Sequence, residues 1–446
     1  MEDAIDKKLF YEKAMDYLRK SFPRVYKILD KEYSSYYEKL KISEKMSYDD
    51  VLNYQFSLFK DMLGEAFYKT NFYNKKFSEY GITPRSIKEP ADIAKIPLTS
   101  KKEVMENLND IISCDHIKRY KGHTSGTTGS PIQFYYSRES VEREWATITY
   151  QWERIGFYPW YGRVELRGVL DEKELFSYLP GRVLRINIIK MNSTNIGLIL
   201  KEIKRSGFQY IHGYPSSFIA FKALIGSDHN IKKQIKGIML ASEVLYKDHL
   251  KKIEETFPEA KIISHYGHAE RQTMAAWNNK RQYCFLPIYG YTEFLGENKE
   301  IVATGFNNRY FPLIRYKTSD TVGNIVDMKG NQQFMLFPIV ENINGRLEDI
   351  IYNSKEEIVP PAIITFPLKN LKAIKKCRLI QRSLLKFLFQ YEVVDGVDIE
   401  KELEEVVFGL KKILGSEVDI DTERVDHIQS DASGKFRWII NELERE

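Results

Sequence analysis

Short apolar runs alternate with segments of helical periodicity between about residues 120 and 345, and this alternation limits the folds open to the chain more than any other feature. Apolar runs occupy 210–212, 235–240 and 261–265, and a helical pattern starts at Ser216 between the first two. This order is typical of parallel strands joined by crossover helices. It predicts an α/β fold, α+β when the whole chain is counted, with mixed and parallel sheets and with ligands bound beyond the carboxyl ends of the strands.

The chain of 446 residues is too long for one ordinary hydrophobic core, so we expect a large domain and a smaller one. The large N-terminal domain is predicted over 1–345 and starts with a helical leader over 1–100. Past that boundary the pattern changes to partly alternating strands, a helix over 399–414 and a final strand near Val418. The sequence therefore predicts a small, mobile α+β lid domain over 346–446.

Charge and cysteine content exclude several classes of protein. With 67 Lys and Arg against 62 Asp and Glu, the net charge of +5 is too small and too dispersed for a nucleic-acid groove. Cys114, Cys284 and Cys377 lie far apart without CxxC spacing, which argues against a disulfide framework and a zinc site and favours a cytoplasmic location. The N-terminus lacks the apolar core of a signal peptide, and no stretch approaches the roughly 20 apolar residues that span a bilayer. We therefore expect no nucleic-acid partner and no integral membrane segment.

A run of glycines and hydroxyl side chains between His123 and Pro131 is the first motif that carries chemistry. Glycines let backbone NH groups approach phosphate oxygens closely, and hydroxyl groups donate hydrogen bonds with little bulk. The run is not a Walker loop, because no Lys follows the second glycine at the required offset. A polar hairpin turn is the alternative for the run taken alone. The predicted phosphate-binding residues are Ser125, Gly126, Thr127, Thr128 and Gly129.

The segment Ser125–Gly129 resembles the phosphate loop of the adenylate-forming superfamily of acyl-CoA synthetases, luciferases and peptide-synthetase adenylation domains. The segments His212–Ser216 and Tyr266–Arg271 are similar to the phenylacetate-CoA ligase branch, in particular to its CapK-like members associated with capsular polysaccharide. The resemblance covers nearly the whole chain. It implies an AMP-forming acid ligase that uses ATP and Mg²⁺ to activate a carboxylic acid as an acyl-AMP, with release of pyrophosphate.

Five residues near predicted strand ends would hold the nucleoside of ATP. By the resemblance, Ser242 and Glu243 lie against the adenine, and Tyr266, which Gly267 follows, stacks on it. Asp320 would accept hydrogen bonds from both ribose hydroxyls, a task that suits a carboxylate. An ordinary strand-to-helix turn is the alternative for Ser242 and Glu243, and a turn-capping role is the alternative for Asp320.

The carboxylate of Glu270 is the implied magnesium ligand, and an oxygen ligand suits a hard cation that bridges ATP phosphates. The segment departs from the family's Tyr-Gly-x-Thr-Glu pattern at Ala269, where a phosphate-binding hydroxyl often occurs. An acid substrate is already ionised near neutral pH, so adenylation needs no general base. We therefore favour roles in shaping the pocket or the core for His265 and His268.

Three residues at and beyond the predicted boundary complete the site by resemblance. Arg346 would approach the phosphates, and Glu348 takes the place of the hinge residue from which the lid rotates. Lys435, in the element Ser433-Gly434-Lys435, would reach the α-phosphate and the carboxylate, where a cation relieves the crowding of negative charge. The predicted catalytic residues are thus Lys435, Arg346 and Glu270. An exposed, salt-bridged turn is the alternative for Arg346, and a solvated surface charge is the alternative for Lys435.

The sequence leaves the acid and its acceptor open. The pocket for the acid is predicted near Trp145, Tyr214, Pro215 and His268. The acyl group would pass to CoA or to another acceptor, and the resemblance suggests surface-polysaccharide biosynthesis. Two alternatives remain, namely acyl or aminoacyl transfer to an amine or carrier protein without CoA, and a non-catalytic nucleotide-binding partner of a polysaccharide system. A homodimer is likewise left open.

Overall fold

The computed structural model of the protein describes residues 30–113, 120–123, 133–158, 160–168, 174–226, 228–297, 299–327, 337–344, 351–359, 361–364, 366–368, 373–394, 399–428 and 438–443. The helices in these ranges are α1 (Lys31–Ser43), α2 (Tyr48–Lys69), α3 (Asn71–Glu79), α4 (Lys101–Glu106), α5 (Arg138–Trp152), α6 (Ile196–Ser206), α7 (Pro215–Ile225), α8 (His229–Gln234), α9 (Lys247–Thr256), α10 (Pro361–Ile364) and α11 (Glu400–Leu414). Short 3-10 helices cover Pro90–Lys95, Glu153–Ile155 and Phe366–Leu368. Within the described ranges, no helix has both the length and the apolar character needed to cross a membrane.

The strands in the same ranges are β1 (Tyr120–His123), β2 (Gln133–Tyr136), β3 (Arg163–Arg167), β4 (Phe176–Leu179), β5 (Val183–Asn187), β6 (Tyr210–Gly213), β7 (Gly237–Leu240), β8 (Lys261–Gly267), β9 (Met274–Trp277), β10 (Tyr283–Phe285), β11 (Gly290–Leu295), β12 (Glu300–Gly305), β13 (Tyr316–Val322), β14 (Ile325–Asp327), β15 (Ile339–Val340), β16 (Ile343–Asn344), β17 (Ile351–Tyr352), β18 (Ile358–Val359), β19 (Ile374–Gln381), β20 (Lys386–Val393), β21 (Asp419–Arg424) and β22 (Ile439–Asn441).

A ten-stranded mixed sheet of order β14-β15-β10-β9-β8-β7-β6-β3-β5-β4 forms the centre of the N-terminal part. The neighbours β5, β3, β6, β7 and β8 are parallel, and antiparallel pairs extend the sheet on both sides. Helices α6, α7 and α9 cross over between successive parallel strands, as parallel pairing requires. The predicted α/β fold is confirmed, and β6, β7 and β8 lie where the apolar runs place them.

The two faces of this sheet are packed differently. On one face, here called the helical face, alternate residues such as Leu166 and Ile211 are at most 1% exposed and share an apolar cluster with side chains of α6, α7 and α9. On the other face, here called the α5 face, Trp152 of α5 packs with Met239. Because side chains alternate along a strand, His212 points to the α5 face while its neighbour Ile211 points away from it.

A second, four-stranded antiparallel sheet of order β11-β12-β13-β16 lies in the N-terminal part. Its strand β13 is joined to the segment before α4 by a parallel bridge between Thr99 and Tyr316. Arg315, just before β13, is 5% exposed and donates from Nε and Nη2 to the two carboxylate oxygens of Glu293, at 2.9 and 2.8 Å. Its Nη1 donates to the carbonyl groups of Ala94, at 3.0 Å, and Ile96. One guanidinium therefore fastens the 3-10 segment at 90–95 to the sheet.

The C-terminal part contains a four-stranded sheet of order β21-β20-β19-β22. Strand β20 and helix α11 confirm the strand and the helix predicted there, with Ile399 at the helix cap. Strand β21 confirms a strand near Val418, but the prediction that it is the final strand is wrong. A further strand, β22, pairs parallel with β19, and its partner lies about 60 residues away, beyond the reach of local periodicity. The boundary at Gly345 and the mobility of the lid stay predictions, because 345–350 lie outside the described residues.

The C-terminal part and the helical face share one apolar cluster. Ile363 of α10 and Leu379 of β19 belong to the same cluster as Leu166 and Phe218. At Gly168, which follows β3, an added Cβ would lie 2.9 Å from Cγ1 of Ile363. The two parts therefore approach each other closely enough that a side chain at position 168 would have to displace its neighbours.

We predict that Glu293→Gln lowers the free energy of unfolding by about 3 kcal/mol, because it leaves the buried Arg315 guanidinium without its countercharge. Lys317→Gln is the matched control, since Lys317, two residues further along the chain, forms an ion pair with Glu300 at 3.1 Å but is 42% exposed in its side chain. An exposed pair of this kind contributes less than about 1 kcal/mol. Urea unfolding of both variants measures the difference, and equal effects would contradict the anchoring role of Arg315.

Candidate functional site

Several residues predicted to bind the nucleotide or the acid lie at the carboxyl ends of β6, β7 and β8, where parallel sheets bind their ligands. Tyr214 caps the start of α7 directly after β6, and Pro215 is its first residue. Ser242 and Glu243 lie in the connection from β7 to α9. Gly267 is the last residue of β8, and the strand order places these three connections side by side.

Glu243 ties two of these connections together. Its carboxylate accepts hydrogen bonds from the backbone NH of Ser216, at 3.1 Å, and from the Ser216 hydroxyl, at 2.8 and 2.6 Å. Ser216 lies in the first turn of α7, where backbone NH groups lack helical partners and negative charge is stabilised. The preceding Ser242 has a φ of 70°, a left-handed conformation that few residues other than glycine adopt. The carboxylate thus holds a strained turn at a fixed distance from α7.

Tyr266 and Asp320 connect the central sheet to the second sheet. The Tyr266 hydroxyl on β8 donates a hydrogen bond of 2.8 Å to Oδ2 of Asp320 on β13. Burial, together with the neighbouring Asp320 carboxylate, raises the pKa of Tyr266 well above its ordinary value, so the hydroxyl keeps its proton. Oδ1 of Asp320 takes no part in this hydrogen bond. The structure therefore brings the predicted adenine and ribose residues into direct contact.

Glu270 lies in a largely buried polar group with His268 and Tyr316. Its Oε2 is 3.3 Å from Nδ1 of His268, and its Oε1 accepts a hydrogen bond of 3.2 Å from the Tyr316 hydroxyl. Burial alone would raise the pKa of Glu270, but His268 lowers it below the ordinary value, so the carboxylate is ionised at neutral pH. Burial alone would lower the pKa of His268, but Glu270 raises it.

An ionised, buried carboxylate fits the oxygen preference of Mg²⁺. Among the described residues, no group of three or more His, Cys, Asp or Glu side chains is arranged to hold a metal ion. A magnesium ion at Glu270 would therefore take most of its ligands from phosphate oxygens and water, as this ion commonly does.

The hairpin of β1 and β2 is fastened to the segment that contains Glu270. The Tyr136 hydroxyl at the end of β2 donates a hydrogen bond to the carbonyl of Ala269. The guanidinium of Arg271 lies 3.9 Å from the centroid of the Tyr136 ring, and its Nη1 donates to Oγ of Ser140 at 3.2 Å. These contacts fasten the end of the hairpin that is remote from the β1–β2 connection, and the predicted phosphate loop belongs to that connection.

Ala269, the departure from the family pattern, has a packing explanation. Its side chain packs against the apolar cluster that contains Phe134, Tyr136 and Tyr316. A methyl group fits this setting, whereas a hydroxyl would need a hydrogen-bond partner there. The departure at this position is therefore compatible with the arrangement around Glu270.

Several predicted site residues fall outside the part of the chain that the structure describes. Trp145, in contrast, is described: it lies on α5 with its ring centroid 5.4 Å from the guanidinium of Arg163 on β3. The predicted residues that lie outside the described ranges are Ser125, Gly126, Thr127, Thr128, Gly129, Arg346, Glu348 and Lys435.

Sequence reasoning assigned no role to the residues that hold the site together, namely Tyr136, Arg271 and Tyr316. Arg271 and Tyr316 belong to recognised motif segments, so their position in the chain gave a signal. Tyr136 gave none, because its partner Ala269 is 133 residues away.

Comparison with known proteins agrees with this geometry. Residues 351–442 match the family model described as the CapK C-terminal domain. The chain is 22% identical to Protein CapK of Staphylococcus aureus over 92% of both chains, and 31% identical to phenylacetate-coenzyme A ligase of Aromatoleum evansii over 107 residues, 24% of either chain. A crystal structure of 2-hydroxyisobutyryl-CoA ligase, in complex with 2-HIB-AMP and CoA in the thioesterification state, superposes with a TM-score of 0.59 at 17% identity, covering 90% of this chain and 92% of the other.

The chain thus resembles AMP-forming acid ligases in its fold and in part of its sequence. Along nearly its whole length it is similar to Protein CapK, and its C-terminal residues match the CapK C-terminal family model. The resemblance stated from the sequence motifs is thereby confirmed.

The coupling of His268 with Glu270 predicts a pH-dependent stability. The folded pKa of His268 lies above its ordinary value of 6.5, so its contribution is complete below that pH and is lost as the pH rises through the folded pKa. The folded pKa of Glu270 lies below its ordinary value of 4.5, so its share is lost only in acid. We expect the stability difference between the wild type and His268→Gln to be largest near about pH 5.5 and to shrink toward about pH 8.5. Urea unfolding across this range measures it, and a difference that does not vary with pH would refute the coupling.

Proposed function

We propose that the protein activates a carboxylic acid with ATP, giving an acyl-AMP and pyrophosphate, and then transfers the acyl group to CoA or to another acceptor. The observation that carries this proposal is the convergence of three elements. Tyr136 of the β1–β2 hairpin contacts Ala269, Glu270 follows directly, and Tyr266 reaches Asp320. The magnesium and ribose candidates therefore lie beside the hairpin whose connection carries the predicted phosphate loop.

In the first step, a carboxylate oxygen of the acid attacks the α-phosphorus, and the bond from that phosphorus to the bridging oxygen of pyrophosphate breaks. The acid is already ionised near neutral pH, so no proton has to be removed. Two anions meet in this step, and catalysis consists mainly of positioning and of compensating negative charge. A magnesium ion held by Glu270 would supply part of that charge compensation.

The nucleoside would be held by the Tyr266 and Asp320 pair and by the turn at Ser242. In this arrangement Asp320 would offer a carboxylate oxygen to the ribose hydroxyls, while Tyr266 fixes the orientation of that carboxylate. Glu243 acts on the nucleotide through its bonds to Ser216, which fix the turn that faces the adenine. We therefore assign Glu243 a positioning role in addition to its proximity to the base.

The remaining charge would come from the C-terminal part. We propose that Lys435 reaches the α-phosphate and the attacking carboxylate, that Arg346 approaches the phosphates, and that the lid turns about a hinge at Glu348. The domain boundary near Gly345 belongs to the same proposal. These roles rest on the resemblance of the motifs to those of the adenylate-forming superfamily.

CoA is the acceptor that the relatives support, since a phenylacetate-coenzyme A ligase and a 2-hydroxyisobutyryl-CoA ligase are among the similar proteins. A place in surface-polysaccharide biosynthesis is proposed from the motif resemblance to CapK-like members, and the chain is similar to Protein CapK. Comparing acyl transfer to CoA with transfer to an amine would distinguish the two classes of acceptor.

The proposed catalytic lysine is tested by Lys435→Ala. We expect carboxylate-dependent pyrophosphate exchange to fall at least about 100-fold, because a positioned cation at a developing negative charge contributes several kcal/mol. Binding of ATP should change little. Lys412→Ala, which removes an exposed lysine from α11 in the same part of the chain, is the control and should retain full exchange. Undiminished exchange in Lys435→Ala would remove this residue from the mechanism.

The role of Tyr266 is tested by Tyr266→Phe, which deletes the hydroxyl that orients Asp320. We expect the KM for ATP to rise about tenfold, equivalent to about 1.4 kcal/mol, with the KM for the acid nearly unchanged.

The matched control for this prediction is Tyr283→Phe on β10. Tyr283 shares a buried hydrogen bond of 2.8 Å with the Ser264 hydroxyl and belongs to the cluster against which Tyr266 packs. The Tyr283→Phe variant therefore loses a comparable buried hydrogen bond outside the candidate nucleotide site. A similar rise of the KM for ATP in both variants would show a general loss of stability rather than a role for Tyr266 in nucleotide binding.

A further inference from the structure

Polar side chains gather on the α5 face of the central sheet, where an apolar core would be expected. The ring of Trp152 lies 5.0 Å from that of His212 and 6.1 Å from that of His265, measured between centroids. The two imidazole rings stack at 6.3 Å, and the Arg163 guanidinium lies 5.5 Å from the Trp152 ring. We call these four residues, Arg163, Trp152, His212 and His265, the α5-face cluster.

Each member of the α5-face cluster has a buried polar atom that finds no hydrogen-bond partner among the described residues. The atoms are Nε of Arg163, Nε1 of Trp152, Nδ1 of His212 and Nδ1 of His265. Trp152 is 1% exposed, so its indole NH has no access to bulk water. Since buried polar groups in proteins are almost always paired, four such atoms in one cluster indicate that a polar partner completes it.

The chemistry of these atoms indicates what the partner offers. The Arg163 and Trp152 nitrogens can only donate hydrogen bonds. Burial lowers the pKa of His212, and burial followed by the proximity of His212 lowers the pKa of His265 to about 3. Both imidazoles are therefore neutral at pH 7, and each can donate one bond and accept one. The cluster has more hydrogen-bond donors than acceptors. A partner that completes it must therefore offer oxygen acceptors.

The charged side chains around the cluster also favour a partner that accepts hydrogen bonds. The nearest carboxylate, Glu165, already accepts a hydrogen bond of 2.8 Å from Arg185 and lies 3.8 Å from Nδ1 of His212. The Arg163 side chain, in contrast, forms no ion pair or hydrogen bond within the described part of the chain and lies against the rings of Trp145 and Trp152. A partly buried cation in this state attracts an anionic or strongly accepting group.

The position of the cluster connects it to the candidate nucleotide site. His265 immediately precedes Tyr266 on β8, and His212 lies two residues before Tyr214 on β6. Arg163 starts β3 and lies at the end of the strand remote from the nucleotide residues. The helical face is closed by an apolar core, so the polar side chains of the cluster lie on the opposite face of the strands that lead to the nucleotide residues.

From these observations we infer that the acid activated by this protein carries oxygen acceptors at the end remote from its reacting carboxylate, and that the α5-face cluster binds them. The substrate class is thus a dicarboxylic or hydroxylated acid rather than a purely hydrocarbon one. This inference rests on the proposed adenylation. It assigns to His212, His265 and Arg163 the selection of the acid, and it gives them no part in the chemical step.

Acids of equal chain length test the inference. Butyrate, 3-hydroxybutyrate and succinate differ only in the group at or near the far end, and phenylacetate provides an aromatic comparison. We expect kcat/KM in pyrophosphate exchange to be at least about tenfold higher for succinate or 3-hydroxybutyrate than for butyrate and phenylacetate. A preference for succinate would assign a second carboxylate to Arg163, and a preference for 3-hydroxybutyrate would assign a hydroxyl group to the imidazoles.

Arg163→Met identifies the residue that carries the preference. We expect the KM for the preferred oxygenated acid to rise at least about tenfold, the advantage over butyrate to disappear, and the KM for ATP to stay within about twofold. Arg154→Met is the matched control, because Arg154 also lies over an aromatic ring, that of Tyr150 at 5.6 Å, but outside the cluster. It should keep the wild-type order of acids.

A second variant separates a ligand site from a structural core. His265→Leu removes an unsatisfied buried polar atom, so it should leave unchanged or raise the Tm of the free protein while weakening the preferred acid. His265→Gln retains hydrogen bonding and should keep part of the preference. A lower Tm in His265→Leu with an unchanged order of acids would overturn the inference.

The failures of the two proposals are distinguishable. Exchange that is most efficient with butyrate or phenylacetate would overturn the inference and leave adenylation intact. Absence of exchange with every acid of the panel, in a protein that still binds MgATP, would overturn adenylation and the inference together.

Discussion

The contact of Arg271 with Tyr136 is the interaction on which the candidate site depends. The site is assembled from the β1–β2 hairpin, the end of β8 and strand β13, and these elements belong to three different sheets. No backbone ladder joins the hairpin to β8, so side chains must fix their separation. The Arg271 guanidinium on the Tyr136 ring and the Tyr136 hydroxyl on the Ala269 carbonyl do so from two directions. A cation over an aromatic face is favourable where water is partly excluded, as it is here.

The central sheet could be predicted from the sequence because its signals are local. The apolar runs at 210–212, 235–240 and 261–265 are confirmed as β6, β7 and β8, since a strand buried on one or both faces needs a run of this length. Strand β22 could not be predicted in the same way. It is only 3 residues long, and its pairing with β19 comes from tertiary contacts that leave no periodicity in the segment itself.

The candidate site was predictable in its members but not in its connections. Motif order identified Glu270, Tyr266 and Asp320, and the structure places the last two in hydrogen-bond contact. The bond from Glu243 to the start of α7 was not predicted, because a carboxylate near a strand end gives no sign of which helix it will reach. The roles of Lys435 and the phosphate loop stay predictions, as these residues lie outside the described ranges.

The close approach of Gly168 to Ile363 has a consequence for the thermodynamics of the C-terminal part. The two parts of the chain are joined through one continuous apolar cluster, so any movement that separates them brings hydrocarbon surface into water. Such a movement raises the heat capacity of the protein, as partial unfolding does. The balance between the joined and separated arrangements therefore depends on temperature, and cooling weakens the apolar contribution that holds the two parts together.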